Sequence, residues 1–305
     1  MDYRRFISQD FVEALNELYE REPTGWWRGL LADPDVFVAF RDGALNTYFR
    51  GCSIAQLRLV GAEVRASTHY KYLLKPVLKS PMVEARQGAF QFPSSWQENP
   101  AAAFTSSLAD LDAIKRAAKP YAGGEKKLVG DVIRRNGAVF DVEIALTREA
   151  EGEVADGESA KAADRIDIAA LKANGAGIEL VFYEAKLFQN QELRASGDAD
   201  ARVIGQIEKY VQLLEKYQAE IRESCLLAAQ NVLDVHGLSN ARKTQARTLL
   251  EQAKNFTINT SPVLIVGGFD ADQRDGEVWK SHHKKLVDAL KGRLIVAGNA
   301  SSIRL

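Results

Sequence analysis

The chain has few of the residues that build cofactor sites and disulfide scaffolds. Only two of its 305 residues are cysteines, Cys52 and Cys225, and they are far apart. This excludes a disulfide-stapled domain, a zinc ribbon and an iron–sulfur cluster. The four histidines show no metal-ligand spacing, and no glycine-rich stretch ends in the GKS or GKT of a phosphate-binding loop. A zinc or iron–sulfur centre and a P-loop nucleotide site are therefore not expected.

A strong net charge and a long apolar run are also missing. The formal net charge is -1, and the hydrophobic fraction of 46% and charged fraction of 27% are ordinary for globular proteins. This balance excludes a strongly basic, histone-like protein but still allows a local basic face. The N-terminal stretch lacks the apolar run of a signal peptide, and no run reaches membrane length. We therefore expect a soluble cytoplasmic protein with no membrane partner.

Turn and linker signals divide the chain into two modules. Residues 1–95 predict a helix followed by antiparallel strands, with a turn signal at Asp42-Gly43. The stretch QFPSSWQENP, residues 91–100, is polar and contains two prolines, which is typical of a linker. Residues 105–305 predict helices, three strands, long helices, a strand, a helix and a last strand. The expected fold class is α/β (α+β), with a small antiparallel α/β domain ahead of a larger domain.

The segment RIDIAALKANGAGIELVFYEAKLF, residues 165–188, carries three charges within two apolar strands. A two-residue turn at Asn174-Gly175 would pair residue 167 with residue 182 and put Glu184 one diagonal step from Asp167. Alternate residues of a strand point to the same side, so Asp167, Glu184 and Lys186 would share one face. Because a buried charge is costly unless it is paired or binds a metal, the pattern indicates a site.

Two acids and a lysine on one strand face fit the hydrolysis of a phosphodiester. Carboxylates supply the oxygen ligands that Mg²⁺ prefers, and the ion makes a hydroxide nucleophile available. A neighbouring lysine can orient or deprotonate the attacking water, or contact the phosphate. The alternative is a cross-strand salt bridge on a solvated face, since short motifs recur by chance.

A helix downstream of this hairpin carries a further polar pair. In ARVIGQIEKYVQLLEKY, residues 201–217, Gln206 and Tyr210 are four residues apart and lie on the same helix face. The amide and the phenol could form hydrogen bonds with the carboxylates or with a phosphate. Alternatively, Tyr210 belongs to the core and Gln206 to the surface.

The chain resembles the PD-(D/E)XK nuclease superfamily in one series of residues. The series is Asp167, then Glu184-x-Lys186, then Gln206-x-x-x-Tyr210. The Gln-x-x-x-Tyr element is similar to the branch that contains RecB-type nucleases and lambda exonuclease. The resemblance covers roughly residues 124–298 and leaves the first module outside. It implies a restriction-endonuclease-like core, a mixed sheet flanked by helices, and Mg²⁺-dependent cleavage of nucleic acid, with Mn²⁺ able to substitute. Ile166 stands where the family often has proline.

The resemblance also implies roles for individual residues. Asp167 and Glu184 would bind the metal, Lys186 would activate the water, and Gln206 and Tyr210 would support the site or the bound strand. Glu125, at the start of a predicted helix, would complete the metal site, with Glu143 as the alternative. DNA is the expected substrate, in a defence or DNA-processing role. An RNA-directed nuclease and a non-catalytic nucleic-acid-binding or assembly protein of the same fold are the alternatives.

The first module has a local basic bias. Between residues 41 and 87, eight basic residues stand against three acidic ones, with tyrosines and a phenylalanine interleaved. The basic residues are Arg41, Arg50, Arg58, Arg65, Lys71, Lys75, Lys79 and Arg86. Such a face could follow phosphates and stack on bases. A lysine-rich solvated surface, a homo-oligomer or partner-protein interface, and a sensing module are the alternatives.

Overall fold

A computed structural model describes residues 3–73, 82–92, 105–146, 165–195 and 199–305 of the protein. Within these ranges the fold is mixed α/β, with one antiparallel and one mixed sheet. The strands are β1 Val36–Arg41, β2 Ala44–Phe49, β3 Cys52–Val60, β4 Glu63–His69, β5 Met82–Arg86, β6 Ala89–Phe90, β7 Val139–Ala145, β8 Arg165–Asn174, β9 Gly177–Leu187, β10 Phe256–Ile258, β11 Val263–Gly267 and β12 Leu294–Ala297. The helices are α1 Gln9–Arg21, α2 Trp26–Ala32, α3 Leu111–Ala118, α4 Glu125–Arg135, α5 Arg202–Asp234, α6 Asn240–Glu251, α7 Ala271–Asp275 and α8 Glu277–Leu290. Among them, none is long and apolar enough to cross a membrane.

The first module forms an antiparallel sheet in the order β1-β2-β3-β4-β5-β6. The predicted Asp42-Gly43 turn is confirmed, because Arg41 pairs with Ala44 across it. A second two-residue turn, Arg50-Gly51, joins β2 to β3, and both of its residues have positive φ, 48° and 72°. Positive φ at both central positions is the geometry of a tight hairpin turn. Most of the predicted linker, residues 93–100, lies outside the described residues.

The second module forms a mixed sheet in the order β12-β11-β9-β8-β7, with β10 also paired to β9. Strands β7, β8 and β9 are antiparallel, whereas β10 and β11 run parallel to β9 and β12 runs parallel to β11. One face of β9 buries Val181 and Tyr183 in a cluster that includes Val132 of α4. The other face buries Phe182 in the cluster that includes Tyr210 of α5. Coverage on both faces explains the apolar run from Leu180 to Tyr183 in the middle of this strand.

The β8–β9 turn differs from the sequence-based expectation by one residue. Asn174 pairs with Gly177, so the turn residues are Gly175-Ala176 rather than Asn174-Gly175. Gly175 has φ 58°, and a glycine at the first central position is typical of a type II′ turn. The pairing continues to Ile168 and Tyr183, so the next residues in register, Asp167 and Glu184, are directly opposite rather than diagonal. Since the partner shifts by two residues, the predicted strand face is unchanged.

A buried polar cluster joins the two modules. Asp141 of β7 accepts a hydrogen bond from Nη1 of Arg41 at 2.8 Å, and its Oδ2 lies 3.5 Å from Nε of Arg5. Only 2% of Arg5 is exposed, and its Nη2 donates to the Ala145 carbonyl oxygen at 2.8 Å. Nη1 of Arg242, in α6, donates in turn to the Val38 carbonyl oxygen at 2.9 Å. The two sheets are therefore linked by charges as well as by apolar packing.

The first residues of the chain are bound to the long helix α5. The backbone N–H of Arg5 donates to Oγ of Ser224 at 2.6 Å, and that of Ile7 donates to Oδ1 of Asn231 at 2.9 Å. Both acceptors are buried, so these backbone groups have partners away from water. The N-terminal segment is thus part of the packing between the modules.

The Arg50-Gly51 turn rests on α4 at Gly130, where a side chain does not fit. A Cβ at Gly130 would lie 2.8 Å from Cα of Arg50, so Gly130→Ala must displace the turn. We expect this change to lower the free energy of unfolding by about 1–3 kcal/mol. Gly205→Ala is the matched control, because its Cβ would meet nothing within 4 Å. It should raise stability by about 0.5–1 kcal/mol through helix propensity. Urea titrations of both variants test this, and stabilisation by both would contradict the close packing.

Candidate functional site

Three carboxylate residues occupy neighbouring positions on three adjacent strands. In the β7–β8 pairing, Val142 is opposite Ile168 and Ile144 is opposite Ile166. Glu143 and Asp167 therefore lie between these two pairs, on neighbouring strands. The β8–β9 register, as described above, continues the row to Glu184. Oδ2 of Asp167 accepts the backbone N–H of Ala185 at 2.8 Å, which fixes this carboxylate beside β9. The predicted proximity of Asp167 and Glu184 is therefore seen in the backbone register and in this hydrogen bond.

The predicted Gln206–Tyr210 pair reaches the same point from α5. Nε2 of Gln206 donates to Oε1 of Glu184 at 3.1 Å and to the Tyr210 hydroxyl at 2.8 Å. That hydroxyl donates to the Arg165 carbonyl oxygen at 2.8 Å, at the start of β8. Tyr210 has no exposed surface, so its ring belongs to the core while its hydroxyl belongs to the polar chain. The ring of Tyr210 thus agrees with the core interpretation, and its hydroxyl is linked to the Glu184 carboxylate through the Gln206 amide.

Lys186 lies between two carboxylates. Its Nζ is 3.0 Å from Oε1 of Glu184 and 2.8 Å from Oε2 of Glu192. The Lys186 side chain is 9% exposed, whereas that of Glu192 is 40% exposed, so the glutamate lies at the rim. Sequence reasoning missed Glu192. The only signal was Asn190, whose Oδ1 accepts the Glu192 N–H at 2.8 Å and begins the 3-10 turn Gln191–Leu193.

The protonation of the site reflects burial and crowding of like charges. Burial raises the pKa of Glu184 to about 7, although Lys186 opposes the shift. The pKa of Asp167 is raised well above its usual range by burial and by the charges of Glu184 and Glu143. Burial alone lowers the pKa of Lys186, but Glu184 and Glu192 outweigh it and the net shift is upward. The carboxylates are therefore poorly stabilised as anions, whereas the lysine is well stabilised as a cation.

This electrostatic setting predicts a pH-dependent stability of the metal-free protein. The folded pKa of Glu184, about 7, exceeds its ordinary value of 4.5, so between these values the folded state retains a proton that the unfolded state has released. Raising the pH through this window therefore favours unfolding through this group. We expect Glu184→Gln to gain about 2–3 kcal/mol relative to wild type between pH 5 and pH 8.

Urea titration in EDTA at the two pH values measures this difference. Glu220→Gln, at an exposed position of α5, is the matched control and should track wild type at both. A Glu184→Gln advantage that is the same at both pH values would contradict the buried, destabilised carboxylate.

The helix glutamate Glu125 has its own partners. It is the first residue of α4, and its Oε1 accepts the Leu187 N–H at 3.2 Å and Nδ2 of Asn190 at 2.5 Å. It therefore anchors the end of β9 and the turn that carries Glu192. Its negative charge also contributes to the raised pKa of Glu184, so it lies within electrostatic range of the site.

Glu143 lies on the other side of Asp167 in an unusual backbone conformation. Its φ of 49° is left-handed in the middle of β7, which is uncommon for a residue other than glycine. Burial raises its pKa, against the opposing charges of Arg165, Lys126 and Arg41. Strained residues of this kind are concentrated at functional sites. Glu143 is thus a carboxylate held among cations at the edge of the row.

The donor set of the site fits a hard divalent cation. Oε2 of Glu184 is buried and has no hydrogen-bond partner, although buried carboxylate oxygens are normally satisfied. Within the described ranges, no three His, Cys, Asp or Glu side chains approach closely enough to hold a metal by themselves. Mg²⁺, however, usually binds through one or two carboxylates and keeps several waters. Asp167 and Glu184 meet that requirement.

Comparison of the chain with protein-family models, with curated proteins and with solved structures gave no significant match.

Proposed function

We propose that the protein is a metal-dependent nuclease that hydrolyses phosphodiester bonds, with DNA as its substrate. The observation that carries the proposal is the convergence of Asp167, Glu184, Lys186 and Gln206 at one buried point. A salt bridge on a solvated face would not require an amide donor from another element or leave a buried carboxylate oxygen without a partner. The mixed sheet flanked by helices supports a restriction-endonuclease-like core for this module.

Asp167 and Glu184 would hold Mg²⁺, or Mn²⁺ in its place. When bound, the ion supplies an activated water and neutralises charge that develops on the phosphate. Gln206 fixes the orientation of Glu184 through its amide, and Tyr210 fixes Gln206 by accepting from the same nitrogen. The two residues of α5 therefore set the rotamer of one carboxylate at the rigid end of a sheet strand.

Lys186 acts as a positive charge in a mostly buried position. Two carboxylate partners and an upward pKa shift keep its ammonium protonated at neutral pH. A protonated lysine stabilises negative charge on a phosphate oxygen and donates hydrogen bonds to it. In this protein its role is therefore electrostatic rather than that of a general base.

Glu143 is the better candidate for a third oxygen ligand than Glu125. Oε1 of Glu125 already accepts two hydrogen bonds that anchor the end of β9. Glu143 lies beside Asp167 in the row and raises its pKa, and its own side chain is half-buried. Isothermal titration with Mn²⁺ separates the two, because Glu143→Gln should weaken binding more than Glu125→Gln does.

A cleavage assay tests the proposed function. Wild type and Asp167→Asn are incubated with circular and linear duplex DNA, single-stranded DNA and RNA, with Mg²⁺, with Mn²⁺ and with EDTA. We expect metal-dependent cleavage by wild type and a loss of at least about a hundredfold in the variant. Cleavage of circles would identify an endonuclease, and cleavage of RNA alone would change the substrate class. Silence of wild type on every substrate in both metals would count against the nuclease and favour a binding protein.

A further inference from the structure

The tight turn of the first module reaches the carboxylate row of the second. A Cβ at Gly51 would lie 3.5 Å from Oε1 of Glu143 and 3.2 Å from Cβ of Lys126. These distances place the backbone of the turn beside the two side chains, and the φ of 72° at Gly51 is one that favours glycine. One residue earlier, Cα of Arg50 is against Gly130 of α4, as described above. The junction of the Arg50-Gly51 turn with α4, here called the seam, therefore borders the site.

Two cations at the seam, Arg50 and Lys126, have no carboxylate at ion-pair distance among the described residues. Within the described part of the chain, neither Arg50 nor Lys126 forms an ion pair or a hydrogen bond, and the Arg50 guanidinium lies only near the ring of Phe49, at 5.4 Å. Lys126 is exposed and Arg50 is half-buried. The charge of Lys126 acts on Glu143, as the pKa of that carboxyl reflects. Both cations are thus available to a charged ligand at the site.

The aspartates that line the cleft beside the seam already form ion pairs. A cleft of about 340 Å³ runs from Arg50 and Gly51 along α4 and is also lined by Asp33, Asp35 and Asp131. Lys115 pairs with Asp33 at 2.7 Å and with Asp35 at 3.4 Å, and Lys127 pairs with Asp131 at 2.7 Å. Arg134 also lies 4.0 Å from Asp35 and 3.7 Å from Asp131, so the three acids of this cleft have cation partners other than Arg50 and Lys126.

We propose that a nucleic-acid backbone crosses the seam, with Arg50 of the first module and Lys126 of the second each contacting a phosphate next to the one cleaved. The inference rests on the proposed nuclease function, because it takes the carboxylate row as the position of the scissile phosphate. Two cations from different elements that form no described ion pair or hydrogen bond, and whose backbones are held together by close packing, suit a polyanion that passes over both. The first module then belongs to the substrate-binding surface.

Two exposed basic residues away from the seam, Arg58 and Lys172, supply a matched control. Arg58 lies in β3 opposite Ala44, at the far end of the hairpin from Arg50, and is exposed. Lys172 is exposed on β8, towards the Gly175-Ala176 turn and away from Asp167. Substituting Arg58 and Lys172 with glutamine removes the same charge as substituting Arg50 and Lys126.

The experiment measures the binding of fluorescein-labelled duplex and single-stranded DNA by anisotropy over a series of salt concentrations. All proteins carry Asp167→Asn, so that the DNA stays intact. We expect Arg50→Gln with Lys126→Gln to weaken binding about tenfold and to reduce the salt slope by about 2, because two phosphate contacts are lost. Arg58→Gln with Lys172→Gln should bind within about twofold of the parent and keep its slope.

In the background with an intact Asp167, the seam variant should show a raised KM for cleavage, with a larger effect on KM than on kcat. Equal binding by the seam variant and the control would overturn the inference while leaving the nuclease intact. A parent protein that binds no DNA, with a wild type that cleaves none, would overturn both proposals together. The melting temperature of each variant should equal that of its parent.

Discussion

Replacing Lys186 with methionine will lower the rate of metal-dependent cleavage about a thousandfold. Its ammonium is buried between Glu184 and Glu192, where a fixed charge acts strongly on the transition state. Methionine has a similar shape, so it removes the charge with little loss of packing. The rate is measured on the substrate that wild type cleaves best, under single-turnover conditions that isolate the chemical step.

Two comparisons make this result specific. Mn²⁺ affinity should not fall in Lys186→Met, because the variant removes a competing cation from Glu184 and leaves both carboxylates. Lys172→Met, on the exposed end of β8, should cleave at the wild-type rate. If Lys186→Met retains most of its activity, Lys186 is a structural counter-ion and the proposed electrostatic role is wrong.

Replacing Asp141 with alanine will lower the free energy of unfolding by about 3–5 kcal/mol. The change leaves Arg41 and Arg5 without the carboxylate that neutralises them in a buried position. Removing one partner of a buried ion pair is costly because the remaining charge stays away from water. Urea denaturation measures the loss, and we expect one transition because the apolar core spans both modules.

Asp288 provides the comparison for this prediction. It pairs with Lys284 at 2.7 Å, which is shorter than the distances of 2.8 Å and 3.5 Å from Asp141 to Arg41 and Arg5, but both side chains are mostly exposed. Asp288→Ala should therefore change stability by less than about 0.5 kcal/mol. Similar losses in the two variants would show that burial of the cluster does not govern its strength.

The alternation of residues along the two strands was sufficient to predict which side chains of the β8–β9 hairpin share a face. Alternation along residues 165–188 predicted that Asp167, Glu184 and Lys186 share a face, and the register agrees. The turn position was wrong by one residue, because Asn-Gly is the common signal for a type I′ turn whereas this hairpin uses Gly175 to begin a type II′ turn. The face was unaffected because side chains repeat every two residues.

Contacts between distant parts of the chain could not be predicted in the same way. The sequence around Asp141 does not indicate its partners. Arg41 precedes it by 100 residues, and Arg5 lies still further towards the N-terminus. The Arg50-Gly51 turn gave no sign that it would meet α4 and Glu143. Such pairings are set by how the two sheets pack, and a periodic pattern describes only one element at a time.

The anchoring of the first residues to α5 has a consequence for protein synthesis. The backbone of Ile7 is hydrogen-bonded to Asn231, 224 positions later in the chain. At translation rates of roughly 5–20 residues per second, the segment around Ile7 waits about 10–45 s before its partner leaves the ribosome. During that time the apolar side chains of the first module cannot yet pack against α5, with which they share a core. A nascent chain released early would therefore expose this face to chaperones and proteases.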